Sequence, residues 1–400
     1  MEPKIRFKGF EGEWIETSLS NLSSNFKYGI NAAAVSFDGE NKYLRITDID
    51  DTMHSFLQND VTSPGTDLSC CDEYLMQDGD IVIARTGASV GKSYIYHPFD
   101  GKVYFAGFLI RMRLNENTNR DFVFQNTLTN AYAKHVQFVS QRSGQPGINV
   151  NELQAYKLRI PSLSEQQFIA TYFRTLDNKI QSTSKKLASL KKLKSASLVA
   201  MFPQNGESKP KVRFNGFEGE WSTNNLGSIF AERIESNENG EMLSVTMNNG
   251  IIRSSDNGRF DNSNSDKSKY KVVKIGDIAY NSMRMWQGAS GVSQYEGIVS
   301  PAYTVVTPSV DVDTDFFGYL FKTDDVIRLF KLNSQGLTSD NWNLKYPAFS
   351  RICVSYPESK EEQQAIATFF RSLDRKIALE TARLEKLKQI KLACLDKMFV

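Results

Sequence analysis

Two stretches of this chain carry an apolar stripe at helical spacing. In the first, Ile169, Phe173, Leu176, Ile180, Leu187, Leu190 and Leu193 follow one another at separations of three, four or seven; in the second, Ile366, Phe370, Leu373, Ile377, Leu384, Leu387 and Cys394 do the same. That spacing keeps each set on one side of a helix and predicts a coiled-coil seam. Ser162 with Glu165 and Ser359 with Glu362 form S-x-x-E capping boxes, so both helices are expected to open by the same device, the first over 162–202 and the second over 359–400. At about 1.5 Å per residue each would run about 57 Å. Pro203 stops the first helix, and the polar QNGESK after it reads as a linker over 203–209. Elsewhere the pattern changes to short alternating or apolar runs (GDIVIA, KSYIYHP, KVYFAGFLIRMRL, KVVKIGDIAY, AYTVVTP) bounded by Gly, Asn, Asp and Pro, with helical stretches near 121–138 and 314–331. These predict two mixed α/β domains, 1–161 and 210–358, and an α+β chain as a whole. Each variable block holds roughly 140 residues, enough to bury its own core.

The chain also says the same things twice. Residues 3–14 read PKIRFKGFEGEW and residues 210–221 read PKVRFNGFEGEW; residues 165–180 read EQQFIATYFRTLDNKI and residues 362–377 read EQQAIATFFRSLDRKI. The second pair continues to Leu198, Met201 and Phe202 in one copy and to Leu395, Met398 and Phe399 in the other. Between them, 15–161 and 222–358 share almost nothing beyond Gly79-Asp80-Ile81 and Gly276-Asp277-Ile278. This is a pseudo-twofold tandem duplication, a pattern that precedes any other reading. Constant parts used twice suit one kind of partner bound at two places, whereas variable parts used once suit two different ligands. Arg174, Asp177 and Lys179 recur as Arg371, Asp374 and Lys376 at positions expected to be exposed, so Arg174, Asp177, Arg371 and Asp374 are candidate partner contacts.

Composition narrows the picture. A net charge of +2 does not by itself mark a nucleic-acid binder, so basic surface has to be sought locally. The four cysteines make no CxxC pair and the three histidines share no metal-ligand spacing, which argues against a structural zinc or a disulfide scaffold; no metal is expected. No apolar run approaches the ~20 residues of a membrane span, and MEPKIRF has no signal-peptide core, so a cytoplasmic location is expected.

Four loops carry the candidate chemistry: RTGASVGK over Arg85–Lys92, QRSGQPGIN over Gln141–Asn149, NSMRMWQ over Asn281–Gln287, and NSQGLTSDN over Asn333–Asn341. Arg, Lys, Asn and Gln can make bidentate contacts to base edges, while Ser, Thr and glycine amides suit phosphate oxygens. The candidates are Arg85, Thr86, Ser89, Lys92, Arg142, Ser143 and Gln145 in the first domain, and Asn281, Arg284, Gln287, Ser334, Gln335 and Asn341 in the second. Lys185, Lys186, Lys191, Lys192 and Lys194 add a basic cluster whose plainer role is a solvated helix face. The segment GASVGKS resembles a Walker A loop but has three residues, not four, between its first glycine and Gly-Lys, and the second half has no counterpart. No amino-methylation motif, dinucleotide fingerprint or paired-carboxylate and lysine cluster for phosphodiester hydrolysis stands out, so the chain reads as non-catalytic. A protein-binding scaffold and a nucleotide-binding enzyme are the competing readings.

The PKxRFxGFEGEW openings, the EQQxIATxFRxLDxKI helix starts, the LKxLK run and the terminal Met-Phe pairs resemble the specificity subunit of type I restriction-modification systems over the entire chain. The resemblance implies two target recognition domains joined by two long antiparallel helices that form a coiled-coil spacer. It further implies that each domain reads one half of an asymmetric, interrupted site on double-stranded DNA, and that the helices and adjoining surfaces bind two modification subunits. Those partners would carry S-adenosylmethionine, and two motor and nuclease subunits would bring ATP and Mg; this chain would hold no cofactor.

Overall fold

The computed structural model describes residues 2–204, 206–247, 250–257, 266–338 and 341–400. The linker expected over 203–209 and the loop over 333–341 therefore fall partly outside the described residues. Two compact units emerge, one made of 1–186 with 380–400 and the other of 187–379. The division falls inside both long helices, so each unit takes a share of each.

The main elements of the first unit are β1 (Ile15–Ser18), β2 (Ser23–Tyr28), β3 (Ile81–Ala84), β4 (Ser93–Ile95), β5 (Leu109–Leu114), α1 (Arg120–Asn126), α2 (Asn130–Val139), β6 (Lys157–Ile160) and the opening of α3 (Leu163–Met201). The second repeats the series with β7 (Ser222–Asn225), β8 (Phe230–Glu232), β9 (Ile278–Asn281), β10 (Ser290–Val292), β11 (Tyr303–Pro308), α4 (Thr314–Leu320), α5 (Asp324–Asn333), β12 (Cys353–Tyr356) and the opening of α6 (Lys360–Met398). In the first unit β2-β5-β3-β4 make an antiparallel sheet while β1 pairs with β6; in the second the order is β8-β11-β9-β10, with β7 on β12. Two blocks with almost no residues in common thus share the order of the main sheet and of the flanking pair, while the smaller strands pair differently: Lys42–Leu44 runs parallel to Val103–Phe105 in the first unit, whereas Lys271–Val273 runs antiparallel to Gly297–Val299 in the second.

The helical stretches expected near 121–138 and 314–331 are each two helices. Thr127 and Thr129 turn their hydroxyls back onto the carbonyls of Phe124 and Asn126, and Thr129 then accepts the Tyr132 N–H to start α2. Thr323 bonds the Leu320 carbonyl at the matching break before α5. A threonine that offers its backbone such a local bond competes with helix continuation.

The repeated text is largely explained by packing. In the first unit Phe399 lies against Trp14, Phe122 and Phe173 with ring centroids 6.4, 5.1 and 5.8 Å away. In the second, Phe202 meets Trp221, Phe316 and Phe370 at 6.0, 5.5 and 5.9 Å. The Trp of GEW, the phenylalanine of the helix opening and the final Met-Phe phenylalanine are therefore one aromatic cluster, built twice.

Glu165 and Glu362 depart from the expected capping boxes. Ser162 and Ser359 still accept the Glu165 and Glu362 N–H groups at 3.4 and 3.2 Å, but neither carboxylate returns to its cap. Arg6 takes Glu165 through Nε and Nη2, both at 2.8 Å, and Arg213 takes Glu362 at 2.7 and 2.6 Å. A guanidinium that takes both carboxylate oxygens outcompetes a single backbone N–H. Each arginine also donates to the carbonyl of Gly12 or Gly219 in its own FEGEW turn, and each is held more firmly protonated by its glutamate. Next along, Gln166 and Gln363 accept the N–H groups of Asn119 and Asp313, the N-caps of α1 and α4. The repeated Glu-Gln pair therefore ties the chain opening, the long helix and the variable block of each unit together.

The Gly-Asp-Ile repeat is structural too. Gly79 and Gly276 adopt φ of 79° and 87°, a region only glycine enters freely, and aim Asp80 and Asp277 into the sheet, where both are almost fully buried. Asp80 receives Arg113 in two bonds of 2.7 Å; Asp277 receives Arg233 at 2.7 and 2.9 Å.

Within each unit the two long helices run antiparallel. In the first unit Asp177 meets Lys391 at 2.7 Å and Lys186 meets Glu380 at 2.5 Å; in the second Lys194 meets Asp374 at 2.6 Å. Most of the expected seam is buried, but Leu193 is 48% exposed. Its position falls off the stripe because an unbroken 3.6-residue helix drifts away from two successive steps of three, Leu187 to Leu190 to Leu193.

Candidate functional site

The four loops singled out in the sequence come together as two surfaces, one per unit. In the first unit the loop after β3 meets the loop after α2: Thr86 bridges Gly147, the Gly87 N–H donates to the Pro146 carbonyl at 2.9 Å, and the Ile148 N–H to the Arg85 carbonyl at 2.8 Å. Gly91 lets the loop lie on α2, since a Cβ there would come within 2.7 Å of Val136 Cγ1. In the second unit the loop after β9 meets the segment after α5: the Leu344 N–H donates to the Ser282 carbonyl at 2.8 Å, Gln335 bridges Asn343, and the Trp286 and Trp342 rings meet edge to face at 5.2 Å.

The candidate residues differ in how far the fold has used them. Lys92 is committed internally, its ammonium donating to the Ile49 carbonyl at 2.8 Å and to Asp51 at 2.7 Å with only 11% of the side chain exposed. That also disposes of the Walker-like reading, because β4 follows the loop where a phosphate loop needs a helix. Arg142 donates to the carbonyls of Val139 and Gln141 and to Glu152, closing the end of α2. Arg85 lies with its guanidinium 4.9 Å from the centre of the Tyr28 ring and, among the described residues, has no acidic partner. Ser143 and Gln145 are exposed, and Thr86 and Ser89 half-exposed.

In the second surface Arg284 has no acidic partner among the described residues, and Gln287 is exposed beside it. Asn281 accepts the Met283 N–H at 3.0 Å, Ser334 donates to the Phe330 carbonyl at 2.7 Å, and the Asn341 amide reaches Thr338 at 3.3 Å, so these three also shape their own loops. Lys322 braces the surface from beneath, donating to the carbonyls of Gly288 and, at 2.8 Å, Ser290. Its burial pushes the ammonium down to about 8.

Sequence reasoning passed over the aromatic and apolar members. Tyr28 lies under Arg85, and the exposed Phe108 accepts the Arg85 N–H through its carbonyl. In the second unit the Lys331 ammonium stands 5.5 Å over the Trp342 ring. Phe138 and Leu332, each the ninth residue of a ten-residue helix, are 76% and 70% exposed where the chain enters the second loop of each surface. The signal available was an apolar residue out of phase with the buried face of its helix.

The four candidate partner contacts were expected to be exposed. Arg174 and Arg371 are, although Arg371 reaches Asp315 at 2.8 Å and Arg174 lies 3.9 Å from Asp121. Asp177 and Asp374 are half-buried instead. Asp177 accepts from Gln125 at 2.9 Å beside Lys391, and Asp374 accepts from Lys194 and from the Tyr319 hydroxyl at 2.9 Å, which burial and that carboxylate make harder to ionise. Their recurrence is accounted for by matched interhelical pairs. Among the described residues no helix is long and apolar enough to cross a membrane, and no group of acidic, Cys and His side chains could hold a metal.

Residues 23–192 and 219–389 each match the model of the type I restriction modification DNA specificity domain. The chain belongs to that family. Over 136 residues it is 26% identical to the type I restriction enzyme HindI specificity subunit of Haemophilus influenzae, a match covering 32% of this chain and 29% of that one. Its fold resembles the S subunit of the type I restriction-modification system of M. genitalium, with a TM-score of 0.68 at 15% identity over 100% of this chain and 99% of the other. Both specificity domains defined by the family match contain one of the loop surfaces described above, and sequence recognition on DNA is the role that membership implies.

Proposed function

We propose that this chain is the sequence reader of a type I restriction-modification complex, each unit recognising one half of an asymmetric, interrupted DNA site. The observation that carries the reading is the pairing of one scaffold with two unlike loop surfaces. The sheet order, the Glu-Gln ties, the buried aspartate and the aromatic cluster are the same in both units, yet one surface presents Arg85 on Tyr28 and the other Arg284, Trp286, Trp342 and Lys331. Identical heads on a pseudo-twofold would call for a palindrome; unlike heads call for two different half-sites. The helices α3 and α6 fix the gap between half-sites, in the way dimer geometry sets half-site spacing in other DNA readers. Affinity comes largely from phosphate contacts and from the partners' own grip on the duplex, which suits a chain of net charge +2.

Catalysis belongs to partners in this reading. Two modification subunits with S-adenosylmethionine methylate adenine where this chain directs them, and two restriction subunits bring ATP, Mg and the nuclease. Single-molecule methylation mapping of genomic DNA, with and without this chain beside its modification subunit, tests the proposal. One asymmetric interrupted motif that disappears without the chain is the expected result. A methylation pattern indifferent to the chain rejects it.

A further inference from the structure

Arg85 is set apart from the other cations of its surface. Lys92 is held by Asp51, Arg142 by Glu152, and Arg113 by Asp80, with Arg111 4.0 Å from the same carboxylate. Arg85 alone among these has no carboxylate among the described residues, and its Nε is fully covered without a hydrogen-bond acceptor. The plane of Tyr28 supports the guanidinium from one side, and the phenol is fixed in turn because its oxygen accepts the Val150 N–H at 3.2 Å. The backbone of Arg85 is pinned at both ends of the peptide, its N–H donating to Phe108 and its carbonyl accepting from Ile148. A guanidinium stacked on an aromatic ring, anchored at its backbone and left without a counter-ion is a planar donor fork prepared for an acceptor pair that arrives from outside. Holding it so costs side-chain freedom in advance, which lowers the cost of binding.

We infer that Arg85 donates to O6 and N7 of a guanine in the half-site read by the first unit, and that Tyr28 is the positioning residue that aims it. A phosphate would be met equally well by a mobile lysine; the flat, pre-aimed fork fits the paired acceptors on the major-groove edge of guanine. The inference rests on the first unit reading DNA and specifies one base of that half-site.

The test uses the full chain assembled with its modification subunits and duplexes carrying the mapped site, in which each guanine of the two half-sites is replaced singly by 7-deazaguanine, which lacks N7. For the wild-type complex, one position in the first half-site should cost about tenfold or more in affinity. Arg85→Ala should lose a comparable factor on the natural site and show no further loss at that position, while remaining fully sensitive to substitutions in the other half-site. Tyr28→Phe keeps the ring and should retain the discrimination, whereas Tyr28→Leu should reduce it toward that of Arg85→Ala. If Arg85→Ala keeps full sensitivity to every deazaguanine, or binds the natural site as wild type does, the assignment is overturned. If Tyr28→Leu discriminates as wild type does, Tyr28 has no positioning role. Failure of the wild-type complex to tell its site from unrelated duplex would instead reject the reading of the chain as a DNA reader.

Discussion

The two units bury the same aspartate in the same turn and neutralise it from different places. Arg113 reaches Asp80 from within β5, whereas Arg233 reaches Asp277 from just beyond β8, the strand that pairs with β11, the counterpart of β5. The aspartate itself is fixed by its turn: it accepts the N–H of Gln77 or Lys274 three residues before it, each at 2.7 Å, and so closes the loop that launches the central strand. An arginine is long enough to reach the carboxylate from the adjacent strand or from just past the strand beyond it. What the scaffold requires is a buried charge pair, and the sequence solution is free to move. This is why Gly-Asp-Ile survives as a visible repeat while its partner does not.

The comparison can be broken at its charges. Removing one partner of a buried pair leaves an uncompensated charge at a cost of about 3 to 5 kcal/mol. Arg233→Met should approach that cost, because Asp277 retains no second arginine among the described residues. Arg113→Met should cost distinctly less, because Arg111, buried 4.0 Å from Asp80, remains to compensate it. Denaturant unfolding of the two variants gives the difference directly; equal losses would mean that Arg111 does not compensate Asp80.

Next in size is a contrast within the repeated helix text. Asp177→Lys sets a cation against Lys391 in a half-buried contact and should destabilise the first unit by about 2 kcal/mol. Arg174→Glu, on an exposed residue one turn earlier, should leave stability nearly unchanged. Asp374→Lys should likewise cost more than Arg371→Glu, although the latter sets a glutamate beside Asp315 and carries a smaller cost of its own. Co-purification with the modification subunit then separates the roles. If the exposed arginines dock partners, Arg174→Glu and Arg371→Glu impair assembly without unfolding the chain; normal assembly removes them as docking residues.

Comparable in size is the effect on reading. Arg284→Ala should weaken or relax recognition of the half-site read by the second unit by about 1 to 3 kcal/mol if its guanidinium makes a bidentate base contact, with the other half-site unaffected. Competition binding on duplexes altered in one half-site at a time measures this. Unchanged discrimination at both would take Arg284 out of the reading surface.

The same division, constant frame and movable detail, governs what the sequence made legible. The helices were legible because their stripe is long and periodic, and the loops because Gly, Ser and Asn mark them. Which loops meet was not, since nothing local records that Thr86 will bridge Gly147 or that Ser282 will receive the Leu344 N–H. Charge type was legible at Lys92 and Asp177, but their engagement was not: Asp51 lies 41 positions from Lys92, and Lys391 is far along the chain from Asp177. The aromatic members of the surfaces escaped because Tyr28 and Trp342 read as ordinary strand or core residues until a cation is seen resting on them.

The smallest expected effect separates the units by pH. All three histidines lie in the first, and at His54 burial lowers the pKa below the usual 6.5, Lys391 and Lys92 add to that, and the Ser93 carbonyl and Asp50 oppose it. The unfolded chain therefore takes up the proton first as pH falls. Above about 6.5 both states are neutral there and nothing is lost; below it the unfolded state gains a proton that the folded state refuses, and the first unit loses stability until the folded imidazole also titrates. Its backbone sits at φ of 52°, so His54→Asn is the fitting probe, because asparagine tolerates that left-handed conformation and does not titrate. Thermal melts from about pH 7.5 to about pH 5.5 should show a decline in the first unit that His54→Asn flattens, with the second unit unresponsive to the substitution. An unchanged decline in the variant would remove His54 as the source of the acid sensitivity.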